Sequence, residues 1–365
     1  MRQKQRGPYW VCLLLMILFL PRPSVSAQNL VDWKAVSDGI PESAEELLEG
    51  ISPEELTPEQ AARRMIGAFS RQAGGAVRDT MGQLALLLSV ILICGVCGTL
   101  GEAARAQGET LNIAAAVAVT TICAGGLGSL IGRAGAAIAD MNLLAKTLMP
   151  AMAALQAAMG WPGGAVARHS ATMLFSALLS GAVSGVMFPL TYVYILLLAV
   201  NTAMPRPTLE RLAVFLKKSV TFVLTAGLAL FVAYFTVSGT VAGSADAFAV
   251  KSAKAGIGAA VPVVGAIIAE ASEALLLGGG ILKNALGLYG ILAVAGICLE
   301  PVLGLLARWV LFKLGAALSA PLADERVSRL LDGLSDAFGM VMGMTAACAF
   351  LLFTSVISMM MTGQS

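Results

Sequence analysis

Residues 170–204 read SATMLFSALLSGAVSGVMFPLTYVYILLLAVNTAM, without one aspartate, glutamate, lysine or arginine. A helix needs about 20 apolar residues to cross roughly 30 Å of hydrocarbon, so this stretch is long enough for two crossings. Comparable runs lie on both sides of it. Residues 83–100, 111–132, 219–243, 284–320 and 335–361 are apolar and separated by short polar or glycine-rich links, and 284–320 is again long enough for two. Two further stretches are apolar but interrupted: 141–160, with Lys146 and Pro150, and 255–277, with Pro262, Glu270 and Glu273. The pattern predicts an all-α, polytopic helical membrane protein with about 7–10 transmembrane helices.

Composition points the same way. Of 365 residues, 58% are apolar and 13% charged, against about 25% charged in soluble domains. The mean hydropathy is +0.82, and the 39 glycines fit the higher glycine content of membrane helices. An ordinary water-soluble enzyme is excluded. A formal net charge of +2 supplies no electrostatic footprint for a nucleic acid. Cys12, Cys94, Cys97, Cys123, Cys298 and Cys348 all sit inside apolar runs, so no disulfide framework is expected.

The N-terminus carries Arg2, Lys4 and Arg6, an apolar run from Tyr9 to Leu20, and small residues ending at Ala27. The run is too short to span a bilayer and reads as a secretory signal peptide over 1–27, cleaved near Ala27, which places the mature N-terminus outside the cytoplasm. Residues 28–82 form an acidic, extracytoplasmic helical segment with ten acids and five bases. Ser52-Pro53-Glu54-Glu55 and Thr57-Pro58-Glu59-Gln60 read as helix starts, each with a cap, a proline in the first turn and a side chain reaching back. Ala62, Met65, Ile66, Phe69, Ala73, Ala76 and Val77 then recur at helical spacing as one apolar face. That face suits either a surface helix resting on its own membrane domain or a docking helix for an extracytoplasmic partner.

The polytopic domain covers 83–365. Its two interrupted stretches resemble each other, Lys146 and Pro150 against Lys254 and Pro262, and each is followed by a glycine break and a long apolar region. Each region ends in a basic, proline-containing loop: Pro205-Arg206-Pro207 with Arg211, Lys217 and Lys218, then Pro321 with Arg326 and Arg329. This suggests repeats over about 111–218 and 219–334, as in many transport proteins. Cytoplasmic loops carry excess Lys and Arg, which puts both basic loops inside. Units of four spans keep them on one side and give about ten spans; re-entrant interrupted stretches give seven or eight. Arg71 and Arg78 on the outer side count mildly against the scheme.

No G-x-x-x-x-G-K-[ST] loop occurs, so any ATP-driven work belongs to another subunit. His169 is the single histidine; no metal site, cofactor site or catalytic constellation is expected. Cys94-Gly-Val-Cys97 lies in an apolar run and reads as packing rather than a redox pair. Gly128/Gly132, Gly181/Gly185, Gly239/Gly243 and Gly339/Gly343 have the spacing that lets membrane helices approach closely. Ionisable groups in apolar stretches are more informative, since a charge at the bilayer centre costs about 2.5–3.5 kcal/mol unless paired or hydrated. These are Lys146, Lys254, Glu270, Glu273, Lys283, Glu300 and Arg308. Glu270 and Glu273 share a helix face, and the break Gly278-Gly279-Gly280 could fold Lys283 back toward a carboxylate. Snorkelling or an internal salt bridge is one reading of these groups; lining an aqueous path is the other.

Taken together, the signal, the short acidic segment and the polytopic domain with Lys254, Val261-Pro262-Val263-Val264-Gly265, a glutamate-bearing helix and Lys283-Asn284-Ala-Leu-Gly-Leu-Tyr-Gly290 resemble the stage III sporulation protein AE family. The resemblance implies a non-enzymatic subunit of the channel complex joining mother cell and forespore, in the outer forespore membrane. It implies partners from the same operon, including ring-forming subunits and a secretion-ATPase-like protein, with stage II sporulation protein Q on the forespore side and an Oxa-type insertase for insertion. Asn284 enters as a polar position of that motif. The two functional expectations are a platform or export-gate subunit and an autonomous permease for a small solute, the latter using broken helices at Pro150 and Pro262 as a midplane site.

Overall fold

The computed structural model describes residues 40–48, 56–99, 108–204, 209–260, 262–319 and 325–361. The expected signal peptide and the first capping box, residues 52–55, lie outside the described residues. Every regular element described is helical: α1 (Glu42–Leu48), α2 (Pro58–Thr99), α3 (Gly108–Ala158), α4 (Pro162–Ala182), a π turn (Val183–Met187), α5 (Phe188–Ala203), α6 (Glu210–Ala260), α7 (Pro262–Ser319) and α8 (Glu325–Met361). Five segments among the described residues are long and apolar enough to cross a membrane: Val117–Ala158, Gly163–Ala203, Glu210–Val237, Gly279–Ser319 and Glu325–Met361.

The start of α2 follows its sequence signature. Gln60 N–H donates to Thr57 Oγ1 (3.4 Å) and Thr57 N–H donates to Gln60 Oε1 (3.3 Å), a reciprocal capping box. The chain reverses between α3 and α4 at Gly160, whose φ of 90° is the one positive value among the described residues. There Trp161 N–H donates to Gln156 O and Gly160 N–H to Ala157 O, so the last carbonyls of α3 are satisfied by a left-handed glycine cap.

The long apolar regions depart from the expected pairs of spans. Residues 170–204 form one rod, α4 through α5, and 284–320 fall on the single helix α7 apart from Ala320, which is outside the described residues. Residues 111–132 and 141–160 share α3, which runs through Pro150 to Ala158. Proline alone does not reverse a chain. In the α4–α5 rod, Pro189 has no N–H to give, and the wider π turn before it absorbs the disruption, with Phe188 N–H donating to Val183 O. Among the described residues the reversal at the Gly160 link is the one that carries a positive-φ glycine.

The helix ends that flank the two basic stretches meet at one end of the bundle. Arg326 Nη1 donates to Met204 O at 3.2 Å, and Arg329 lies 3.9 Å from Glu210. Hairpins α3–α5 and α6–α7 therefore both finish at this basic end.

Helices α7 and α8 are the most enclosed and α6 the least. Close approach occurs at Gly287 against Met360, Gly290 against Leu148, Gly333 against Leu198 and Gly339 against Trp309. The expected packing pairs behave unequally: Gly339/Gly343 contact Trp309 and Leu224, whereas Gly128/Gly132 and Gly181/Gly185 face open space. The side chains of Cys94, Cys97, Gly239 and Gly243 lie outside the described residues.

Candidate functional site

Helices α1 and α2 are fastened along α3 and α7 by a polar seam. Ser43 Oγ on α1 donates to Asp140 Oδ2 on α3 at 2.8 Å. Arg308 on α7, 7% exposed, donates from Nε to Gln83 Oε1 on α2 at 3.1 Å and from Nη1 to Gly304 O at 3.4 Å. Arg64 Nη1 on α2 donates to Leu47 O in the last turn of α1 (3.2 Å), where a cation favours the helix end. Gly296 lets α1 approach α7 closely: a Cβ there would stand 3.0 Å from the Cα of Ala44.

Between these fastenings Arg133 Nη1 meets Glu300 Oε1 at 3.1 Å, near the middle of both candidate spans. Helical spacing explains the alignment. Gly126, Arg133 and Asp140 recur every seven residues on one face of α3, and Gly296, Glu300, Gly304 and Arg308 every four on one face of α7. The pair is about half exposed on each side, so it contributes on the order of 0–1 kcal/mol. The first half of α2 runs beside α7, with Leu56 and Pro58 near Asn284 and Leu288 and Gln83 at Arg308. Over that length it exposes Arg63, Arg71, Arg78 and Asp79. Its inward face is Ala61, Met65, Ala68, Ala76, Thr80 and Leu87, while Ile66, Phe69 and Val77 of the expected apolar face stay outside.

A second, buried polar cluster lies at the Gly160 end. Gln156 Nε2 donates to Met359 O (2.6 Å), Arg168 Nε donates to Ser358 Oγ (3.1 Å), and the hydroxyls of Thr172 and Ser355 are 2.7 Å apart. Lys283 is 1% exposed and lies within electrostatic range of Arg168. Gln156 Oε1 and His169 Nδ1 are buried without a hydrogen-bond partner among the described residues. This cluster joins α3, α4 and α8 where lipid offers no hydrogen bonds. Higher up, Asn142 clamps α3 to α4, donating to Ser180 Oγ (2.7 Å) and accepting from Ser176 Oγ (2.5 Å). Among the described residues no group of three or more His, Cys, Asp or Glu is placed to hold a metal ion.

Residues 44–363 match the family of stage III sporulation protein AE. The chain belongs to that family. It is 26% identical over 227 residues to stage III sporulation protein AE of Bacillus subtilis (strain 168), an alignment covering 62% of this chain and 57% of that relative. No solved structure matches the chain. Membership in the stage III sporulation protein AE family makes this a sporulation protein, and its apolar helices make it a multi-pass membrane protein.

The family-like segment around Lys283 is split by the fold. Lys283 is buried in the bundle, whereas Asn284 is exposed beside a shallow cleft shared with Leu56 and Pro58. Glu300 is the one expected carboxylate with a described partner, Arg133. Lys146 and Pro150 are exposed on the continuous helix α3, and Pro262 is the first residue of α7. Lys254 lies on α6 and Glu270 and Glu273 on α7, with their side chains outside the described residues. Arg133 and Asp140 escaped the sequence reading because each stood at the edge of an expected span, where a polar residue reads as a loop, and Gln156, inside the 141–160 stretch, carries no charge to single it out. The seven-residue spacing from Gly126 to Asp140 was the available signal.

Proposed function

We propose that this protein is the membrane platform or export-gate subunit of the channel complex between mother cell and forespore. Family membership and the sidedness of the bundle support this reading. One observation carries it: charged residues on α2 and the Arg133–Glu300 pair occupy one flank beside the middle of α7, where lipid is an unfavourable neighbour. A flank of this kind turns to water or to other protein, as a subunit of a larger assembly requires. The basic end faces the mother-cell cytoplasm, and α1 with the first half of α2, along the flank of α7, offers the surface for ring-forming subunits. A secretion-ATPase-like protein acts at the cytoplasmic side, stage II sporulation protein Q is reached across the intermembrane space, and an Oxa-type insertase assists insertion into the outer forespore membrane. The permease alternative draws less support, because α3 continues through Pro150 and so lacks the unwound segment of a midplane site.

Photo-crosslinking in sporulating cells tests the proposal. A crosslinker at Arg71 is expected to capture protein from the same operon, and one at Phe222 to capture lipid. Lipid alone at Arg71 overturns it.

A further inference from the structure

We infer that a cleft at the basic end, between α5, α6 and α8, binds the phosphate headgroup of an anionic phospholipid. The cavity has a volume of about 340 Å³ and is lined by Tyr194, Asn201, Lys217, Lys218, Arg326 and Arg329, with Glu210, Asp332 and Asp336 as the acidic lining. This is within the range of small-molecule sites.

The acids are largely occupied. Asp336 Oδ2 accepts from Lys217 Nζ at 2.5 Å, and Lys313, standing outside the cavity lining, donates to Asp332 at 2.6 Å and Asp336 at 3.2 Å. Counting Lys313 and Glu325, which stand just outside the lining, five cations face four carboxylates. Arg329 stands 3.9 Å from Glu210 and 3.8 Å from Glu325, too far for a hydrogen bond to either. Lys218 makes no ion pair among the described residues. The chemistry on offer is that of a phosphate ester: lysine point charges and an arginine fork around one small cavity.

The source of that phosphate follows from what adjoins the cleft. Val214 lines it, and α5 and α6 continue away from it with Leu196 and Phe215 exposed by 62% and 63%, and Phe222 by 71%. A headgroup in the cleft lays its acyl chains along this apolar track. A soluble phosphate ester has no use for it. Basic pockets between membrane helices are established headgroup sites in general.

Native mass spectrometry of the full-length protein in neutral detergent tests the inference, with phosphatidylglycerol and phosphatidylcholine offered in equal amounts. Phosphatidylglycerol adducts are expected to survive and phosphatidylcholine adducts to be lost. Lys218→Gln with Arg329→Gln weakens retention about tenfold, the loss of one to two charge-assisted contacts. Lys218→Arg retains binding, and Lys146→Gln, a lysine exposed elsewhere, has no effect; both also report that the fold survives handling. Equal retention of the two lipids, or unchanged retention in the double variant, overturns the site. Glycerol 3-phosphate at millimolar concentration is the second arm: failure to displace the lipid supports a lipid source, and displacement assigns the cleft to a soluble phosphate ester and overturns it.

Discussion

Phe222, Leu230 and Val237 stand out from α6 with 71%, 63% and 63% of their surface exposed, and no charge occurs between Lys218 and Val237. On α2 the outward residues include Arg63, Arg71, Arg78 and Asp79, interleaved with Ile66, Phe69 and Val77. Both helices lie at the surface of one bundle. Lipid has no polar groups in its core to receive those charges, so only the α6 flank is built to meet it. The α2 flank is built for a mixed environment, with apolar ridges for packing and charges for water or a partner. Exposure therefore means two different things on the two sides, and hydropathy averaged along the chain does not separate them.

The largest expected effect comes from exchanging the two surfaces. Leu230→Asp places a carboxylate on the lipid-facing side and is expected to cost about 2.5–3.5 kcal/mol of insertion free energy. Ile66→Asp, at a position 69% exposed, is expected to stay within about 0.5 kcal/mol. Membrane-fraction abundance and thermal melting in detergent read the difference. Equal loss in both variants would mean that both flanks contact lipid, and the comparison would fail.

A smaller effect probes what holds the α2 flank together. Gly296→Leu drives a side chain into the backbone of α1 at Ala44, which has no flexible end to move aside. The expected cost is about 1–3 kcal/mol, the usual range for overpacking, with faster proteolysis between residues 48 and 58 as α1 lifts off. Gly132→Ala is the matched control, since nothing lies within 4 Å of its added Cβ. If both variants melt alike, the close approach of α1 to α7 is not a determinant of the flank.

Much of this was legible in the sequence, for reasons that differ by feature. The capping box at Thr57 to Gln60 is local chemistry and appears as written. The helix ends that flank the two basic stretches lie together, Met204 with Arg326 and Glu210 with Arg329, a long-range pairing that no local pattern displays. Span boundaries inside 170–204 were not legible, because a π turn can accommodate Pro189 without reversing the chain. The apolar face of α2 is divided: Met65 and Ala76 turn toward the bundle beside Ala61 and Ala68, while Ile66, Phe69 and Val77 stay outside, because close helix packing favours small residues. The seam residues Arg133 and Asp140 were invisible as a pair, since their partners Glu300 and Ser43 are 167 and 97 residues away.

The smallest effect is the most discriminating. Arg133 and Glu300 touch at 3.1 Å while remaining about half exposed, so in the isolated protein a double-mutant cycle with alanine is expected to give about 0.2–1 kcal/mol of coupling. The same cycle measured in the assembled complex separates two ways of satisfying the flank. If the pair borders an aqueous path, water screens it before and after assembly and the coupling is unchanged. If a partner seals it, removing one charge leaves the other without solvent, and each single variant loses about 3–5 kcal/mol while the double variant recovers much of it. A rise in coupling on assembly therefore locates a protein interface at Glu300, and a constant value locates water there.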